Sequence, residues 1–193
     1  TPEDVKYVLS SHYQGTPYDP YAATASERGI YRPIGVNRND FMALLQMRPD
    51  VPEDFRAVEW LAFASNAFNT MVPFYANVET TPEYLSNTTG DVSTDNFYWA
   101  SRLLAAMADA SYAKSVFHIE RYTLSVGSKA NGIINTYGDA QRGEADPAAR
   151  AALRTKANEE LAAMVRAETT DALNKVLFEL SSGMKNAYSR SDA

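Results

Sequence analysis

The hydrophobic period of the chain changes once, near residue 90, and that change limits the folds open to it. Before it, Phe41-Met42-Ala43-Leu44-Leu45-Gln46-Met47-Arg48 and Val58-Glu59-Trp60-Leu61-Ala62-Phe63-Ala64 carry apolar side chains on both alternating faces, the pattern of strands covered from two sides inside a layered sandwich. After it, apolar residues recur at helical spacing. Strands first and helices afterwards, with no flexible linker between them, read as an α+β fold with a mixed α/β part over 1–90 and a helical region over 91–193.

Local signals fill in the elements. Thr1-Pro2-Glu3-Asp4 predicts a capped helix whose face is Val5, Val8, Leu9 and His12, ending near Gly15. Two prolines and a glycine make Gly15 to Tyr21 a loop, and 22–40 stays irregular. Pro49 to Arg56 carries turn chemistry between the strands. A third strand over 71–78 is edge-like, because Pro73 has no N–H for a ladder. Asp95 is placed to cap a helix with the stripe Tyr98, Leu103, Leu104, Met107 and Ala108, and Val116, Phe117, Ile119 and Tyr122 continue a second helical stretch. Residues 125–145 are weakly patterned. Asp146-Pro147 opens a long helix whose expected buried stripe is Leu153, Leu161, Met164, Leu173, Val176, Leu177, Leu180 and Met184, with Glu168 and Thr169 interrupting any coiled-coil heptad.

Composition removes several chemistries. The chain has no cysteine, so disulfides, thiolate metal sites and a cysteine nucleophile within it are excluded. Two histidines, His12 and His118, cannot build a multi-histidine metal centre, and no metal or other cofactor is expected. An excess of acidic over basic residues, 24 against 18, speaks against nucleic acid as a partner. No apolar run is long enough for a membrane span, and no basic-then-apolar leader opens the chain, so a cytoplasmic location is expected.

Few residues stand out as chemical. Thr1 can in principle be an N-terminal nucleophile, but Pro2 opens a helix there, so Thr1 is read as its cap. Ser10 to Tyr21 is dense in polar and aromatic groups; His12, Tyr13 and Asp19 either line a pocket or serve a structural turn. Arg32, Asn37 and Arg38 gather just before the first strand, where an arginine can clamp a carboxylate or merely pair on the surface. Asn66 and Asn69 follow the second strand and can supply site amides or cap turns. His118 is read as structural.

The strings Ser11-His12-Tyr13-Gln14-Gly15-Thr16-Pro17-Tyr18-Asp19, Arg32-Pro33-Ile34-Gly35-Val36-Asn37-Arg38, Glu59-Trp60-Leu61-Ala62-Phe63, Asn69-Thr70-Met71-Val72-Pro73-Phe74-Tyr75 and Phe97-Tyr98-Trp99-Ala100 occur in this order. Together they resemble the C-terminal part of PepD-type dipeptidases, bacterial N-terminal-nucleophile (Ntn) hydrolases, over roughly residues 1–125. The resemblance implies an Ntn-hydrolase-like αββα sandwich of short antiparallel strands followed by a helical subdomain. It also implies dipeptide hydrolysis through an acyl-enzyme on an N-terminal cysteine, without metal. Since the chain holds no cysteine, it is expected to be the C-terminal piece of such an enzyme, inactive alone, with no catalytic residue of its own. The expected substrate-binding residues are His12, Tyr13, Asp19, Arg32, Asn37 and Arg38, with Asp19 or Tyr13 on the dipeptide ammonium and Arg32 or Arg38 on its carboxylate. The expected partners are a dipeptide and the N-terminal part of the same enzyme, with homo-oligomerisation through the strands. The competing reading is a non-catalytic interaction domain that docks through its helices.

Overall fold

The protein is described here by a computed structural model covering residues 1–22, 24 and 26–185. Helix α1 (Pro2–Leu9) starts with a full capping box: Thr1 Oγ1 accepts from Asp4 N, and the Asp4 carboxylate returns to the Thr1 amine. It ends at Leu9, six residues before Gly15, near which its end was expected. Ser10 Oγ donates back to Lys6 O, and Tyr13 and Gly15 adopt φ of 64° and 76°, left-handed conformations that no helix continues. The helix is also turned about its axis relative to the expected face. Val5 and Val8 are exposed, whereas Lys6 is 9% exposed. His12 is buried, but beyond the helix end.

Three strands, β1 (Phe41–Met47), β2 (Ala57–Phe63) and β3 (Val72–Tyr75), form an antiparallel sheet in the order β1-β2-β3. Phe41 lies opposite Phe63, Met47 opposite Ala57, and Val58 opposite Tyr75. One face carries the buried Met42, Val58, Trp60, Ala62 and Tyr75, with Leu44 and Gln46 half-buried beside them. On the other, Phe63 meets Phe97 and Tyr98 edge-on at 5.3 and 5.9 Å. Two-sided cover thus holds for β2. It fails for β1, where Phe41, Leu45 and Met47 are 56%, 75% and 65% exposed and no described element lies over them. The edge position of β3 is as expected. Residues two apart point their amides the same way, so Pro73, without an N–H, and Tyr75 share the free edge. Tyr75 N donates to Asn158 Oδ1 at 2.8 Å and Asn158 Nδ2 donates to Tyr75 O at 3.0 Å, which closes the edge with one side-chain amide.

The short helix α2 (Glu83–Ser86) precedes α3 (Phe97–Ala110). Asn96, not Asp95, caps α3, accepting from Trp99 N at 2.8 Å; Asp95 instead pairs with Arg166. The weakly patterned stretch 125–145 is mostly helix: α4 runs from Tyr112 to Gly143. Its buried stripe there is Val126, Ala130, Ile134, Tyr137, Gly138 and Gln141. Helical spacing is present, but small and polar residues carry it, so hydrophobicity alone does not show it.

Helix α5 (Pro147–Ser182) has the expected cap, Asp146 accepting from Ala148 N and Ala149 N. Its stripe departs from expectation in the same sense. Leu161 and Val176 are buried, Leu177 and Met184 are exposed, and the buried face also takes in Arg154, Ala157, Asn158, Ala162, Val165, Thr169 and Ala172. Pairings between His118 and Glu179, Lys129 and Glu168, and Tyr137 and Glu160 run in opposite senses, so α4 and α5 are antiparallel. Thr169, which breaks the heptad, meets the hydroxyl of Tyr122 at 2.8 Å in the interface. One buried cluster extends from Met42 of the sheet to Val176 of α5. Among the described residues, no helix is long and apolar enough to cross a membrane.

Candidate functional site

The irregular segment 10–40 is pinned at a few points. Gly35 N donates to Ser11 O at 2.8 Å, and a Cβ on Gly35 would stand 2.5 Å from Ser10 O, so the two strings cross where only a glycine fits. His12 Nδ1 lies 3.0 Å from Asp19 Oδ1, both residues buried. The carboxylate makes Nδ1 the N–H-bearing nitrogen, and Nε2 faces the Tyr112 hydroxyl at 3.5 Å. Asp19 Oδ1 also accepts from Tyr21 N. Tyr21 stacks on Tyr112 at 4.4 Å, and Phe68 meets Tyr21 edge-on at 5.5 Å. Burial and the carboxylates of Asp109 and Asp19 push the Tyr21 phenol well above its ordinary range. Burial likewise raises Tyr112. Both hydroxyls therefore stay protonated, as hydrogen-bonding groups.

This aromatic cluster backs a polar pocket of about 210 Å³ at the end of the sheet. Asn37, Asp40, Ser65, Phe68, Arg102 and Asp109 are among its walls. Arg102 of α3 pairs with Asp40, and Asp109, the penultimate residue of the same helix, accepts from the Tyr21 hydroxyl at 3.1 Å. Ala64 ends the β2 ladder by donating to Asp40 O, then takes a φ of 68°, which costs an alanine roughly 1–2 kcal/mol. That turn throws the chain into the loop 64–70. Ser65 Oγ is left in the pocket wall, buried and without a hydrogen-bond partner. An arginine, two carboxylates, two asparagines and a free hydroxyl give the pocket groups able to pair with either sign of charge.

The expected binding residues divide into three groups. Asn37 reaches the pocket wall. His12 and Asp19 are brought together behind it and are occupied with each other and with Tyr21. Tyr13 donates its hydroxyl to the Arg32 carbonyl at 3.2 Å, while the exposed Arg32 and Arg38 side chains stand outside the pocket lining. Asp40, Ser65, Arg102 and Asp109 were missed. Asp40 adjoins the expected Arg38-Asn39 group, but Arg102 lies 62 residues further on in an unremarkable helix stretch, and only the fold unites them. Asn66 and Asn69 serve the loop itself: Asn69 Nδ2 donates to Ala64 O at 2.9 Å, and Asn66 Nδ2 to Leu9 O. Among the described residues, no group of three or more His, Cys, Asp or Glu side chains is arranged to hold a metal ion.

A protein named probable dipeptidase A from Streptococcus pyogenes serotype M3 (strain SSI-1) is 42% identical over 194 residues, covering 100% of this chain and 41% of that protein. A dipeptidase from Bifidobacterium longum (strain NCC 2705) is 38% identical over 232 residues, covering 100% of this chain and 43% of its own. Dipeptidase A of Lactobacillus helveticus is 46% identical over 112 residues, which is 57% of this chain and 23% of that one. The chain thus spans about two-fifths of the length of the first two of these relatives. The sequence profile of Peptidase family C69 matches residues 1–125, the stretch that contains the pinned loop, the sheet and the pocket wall, and the chain belongs to that family.

Proposed function

We propose that this chain is the C-terminal part of an enzyme that hydrolyses dipeptides. The observation that carries the reading is likeness along the whole chain to proteins named dipeptidases. The nucleophile is an N-terminal cysteine in the portion of the relatives' length that this chain does not span, so the chain is inactive alone. The α-amine of that cysteine takes the thiol proton, the thiolate attacks the peptide carbonyl, the amino-acid leaving group departs with a proton, and water releases the acyl group. No metal takes part.

A dipeptide presents an ammonium and a carboxylate a few bonds from the scissile carbonyl. An enzyme confined to dipeptides gains selectivity by pairing both ends. The polar pocket supports that role: Arg102 for the carboxylate, Asp40 or Asp109 for the ammonium, and Asn37 and Ser65 for directional hydrogen bonds. His12 and Asp19 act by holding Tyr21 and Tyr112, and Tyr13 by clipping Arg32. The N-terminal part is seated on the uncovered face of β1, completing the αββα sandwich. In its absence that face drives association of the chain with itself. The enzyme works in the cytoplasm.

Kinetics of the whole enzyme carrying Arg102→Gln test the pocket assignment. Loss of a charge-assisted hydrogen bond, about 1.5–3 kcal/mol, is expected to raise KM for free dipeptides by roughly tenfold or more, with little effect on dipeptides amidated at the C-terminus. Equal loss on free and amidated substrates, or no loss, contradicts it.

A further inference from the structure

A second cavity lies across the loop 64–70 from the polar pocket, and its chemistry differs. It is a cleft of about 650 Å³ between α1, the loop and α4, within the size range of small-molecule sites. Tyr7, Trp60, Met71, Ile119 and Leu124 give it apolar walls. Its one cation is Lys6, buried where a helix normally turns an apolar residue inward. The ammonium donates to Ser10 Oγ at 2.6 Å and to Asn66 O at 2.6 Å, both neutral oxygens. An ammonium has three donors, so one remains. Among the described residues, Lys6 makes no salt bridge. Glu3 and Glu120 line the cleft but are exposed, and Glu3 is tied to Asn131 at 3.1 Å. A buried cation without a counter-charge is costly, and an acidic group entering beside it would offset that cost. Asn66 is itself held by Asn69 Nδ2 and by its own bond to Leu9 O, so the Lys6 anchor is rigid before any ligand arrives.

We propose that this cleft is a binding site for a small carboxylate with an apolar body, its acidic group on the Lys6 ammonium and its body against Trp60, Met71 and Ile119. Burial pushes the Lys6 ammonium down to about 8, so it remains mostly charged at neutral pH, as the pairing requires. The site is separate from the polar pocket. Asn66, Ala67, Asn69 and Thr70 face the cleft, whereas Ala64, Ser65 and Phe68 face the pocket, so a bound carboxylate presses on the loop that shapes the other site.

Sodium octanoate is the probe, titrated by calorimetry and by the NMR signals of the two Trp indole N–H groups of the 193-residue chain. Saturable 1:1 binding at about 0.1–1 mM is expected, with the Trp60 signal moving and that of Trp99 still. Octylammonium, with the same body and opposite charge, is expected to bind at least tenfold more weakly. Lys6→Met should lose octanoate at least tenfold while keeping 1-octanol. Gly127 lines the cleft, and a Cβ there meets no atom within 4 Å, so Gly127→Leu has room at its base to reach into the cleft and should abolish binding of both. If Lys6→Met does not fold, the octylammonium comparison and Gly127→Leu decide the question. No saturable binding, equal binding of octylammonium, or octanoate binding that survives Gly127→Leu overturns the proposal. So does binding to this chain that vanishes in the whole enzyme, which would identify the cleft as a seat for polypeptide.

Discussion

At the scale of single residues, the most informative side chains are polar groups held in the interior. Lys6 is the clearest. Its folded ammonium, near 8, lies below the ordinary 10.5, because burial disfavours the charged form. Between those two values the unfolded chain still holds the proton that the folded chain has released. The unfolded state then binds more protons, and stability rises with pH. Wild-type protein is therefore expected to gain up to about 3 kcal/mol relative to Lys6→Met between pH 8 and 10.5, read from urea midpoints of the two proteins across that range. Parallel pH profiles would contradict it. Asn158 offers a second test. Replacing it with Leu leaves the Tyr75 N–H and C=O at the β3 edge without partners, and a loss of about 2–4 kcal/mol in chemical unfolding is expected. A loss below about 0.5 kcal/mol would mean that the edge does not depend on that amide.

At the scale of elements, the segment 10–40 depends on a crossing of two strings rather than on any secondary structure. Gly35→Ala places a Cβ against the Ser10 backbone, where nothing flexible can yield, and about 1–3 kcal/mol of destabilisation is expected from thermal or urea unfolding. A neutral result would show the crossing to be loose. Strand β1 carries the opposite kind of feature, an exposed row of Phe41, Leu45 and Met47. Charged substitution there, Leu45→Lys with Met47→Glu, is expected to shift the isolated chain toward monomer in light scattering and to leave its circular dichroism unchanged. A wild-type monomer at high concentration would remove the basis for that expectation. The elements differ in how far the sequence disclosed them. β1, β2, the Asp146 cap and the Pro73 edge follow from local chemistry with a strong signature. The orientation of α1 and the continuity of α4 do not. Lys6 is buried because the Asn66 carbonyl meets it from a distant loop, beside Ser10 at the end of its own helix, and α4 keeps its stripe with Ala130, Gly138 and Gln141, residues that hydrophobic periodicity passes over.

At the scale of the whole molecule, the pocket was legible only in part. The pinned loop and the residues just before β1 drew attention through local density, and Asn37 and the His12–Asp19 pair lie where that density pointed. Arg102 and Ser65 gave no such sign: one is a charged residue on an amphipathic helix, the other a small polar residue after a strand. They become site residues only once α3 is laid against the end of the sheet. The uncovered β1 face and the chain's share of its relatives' length support the proposal that another segment completes its chemistry. Reconstitution tests that proposal most directly: this chain is combined with the proposed N-terminal segment, its amino-terminal cysteine exposed, and dipeptide hydrolysis is followed by release of free amino acids. The account predicts no turnover by either part alone, turnover by the complex, and its loss when the cysteine is replaced by alanine. Turnover by this chain alone, or by the complex with that cysteine replaced, would contradict it.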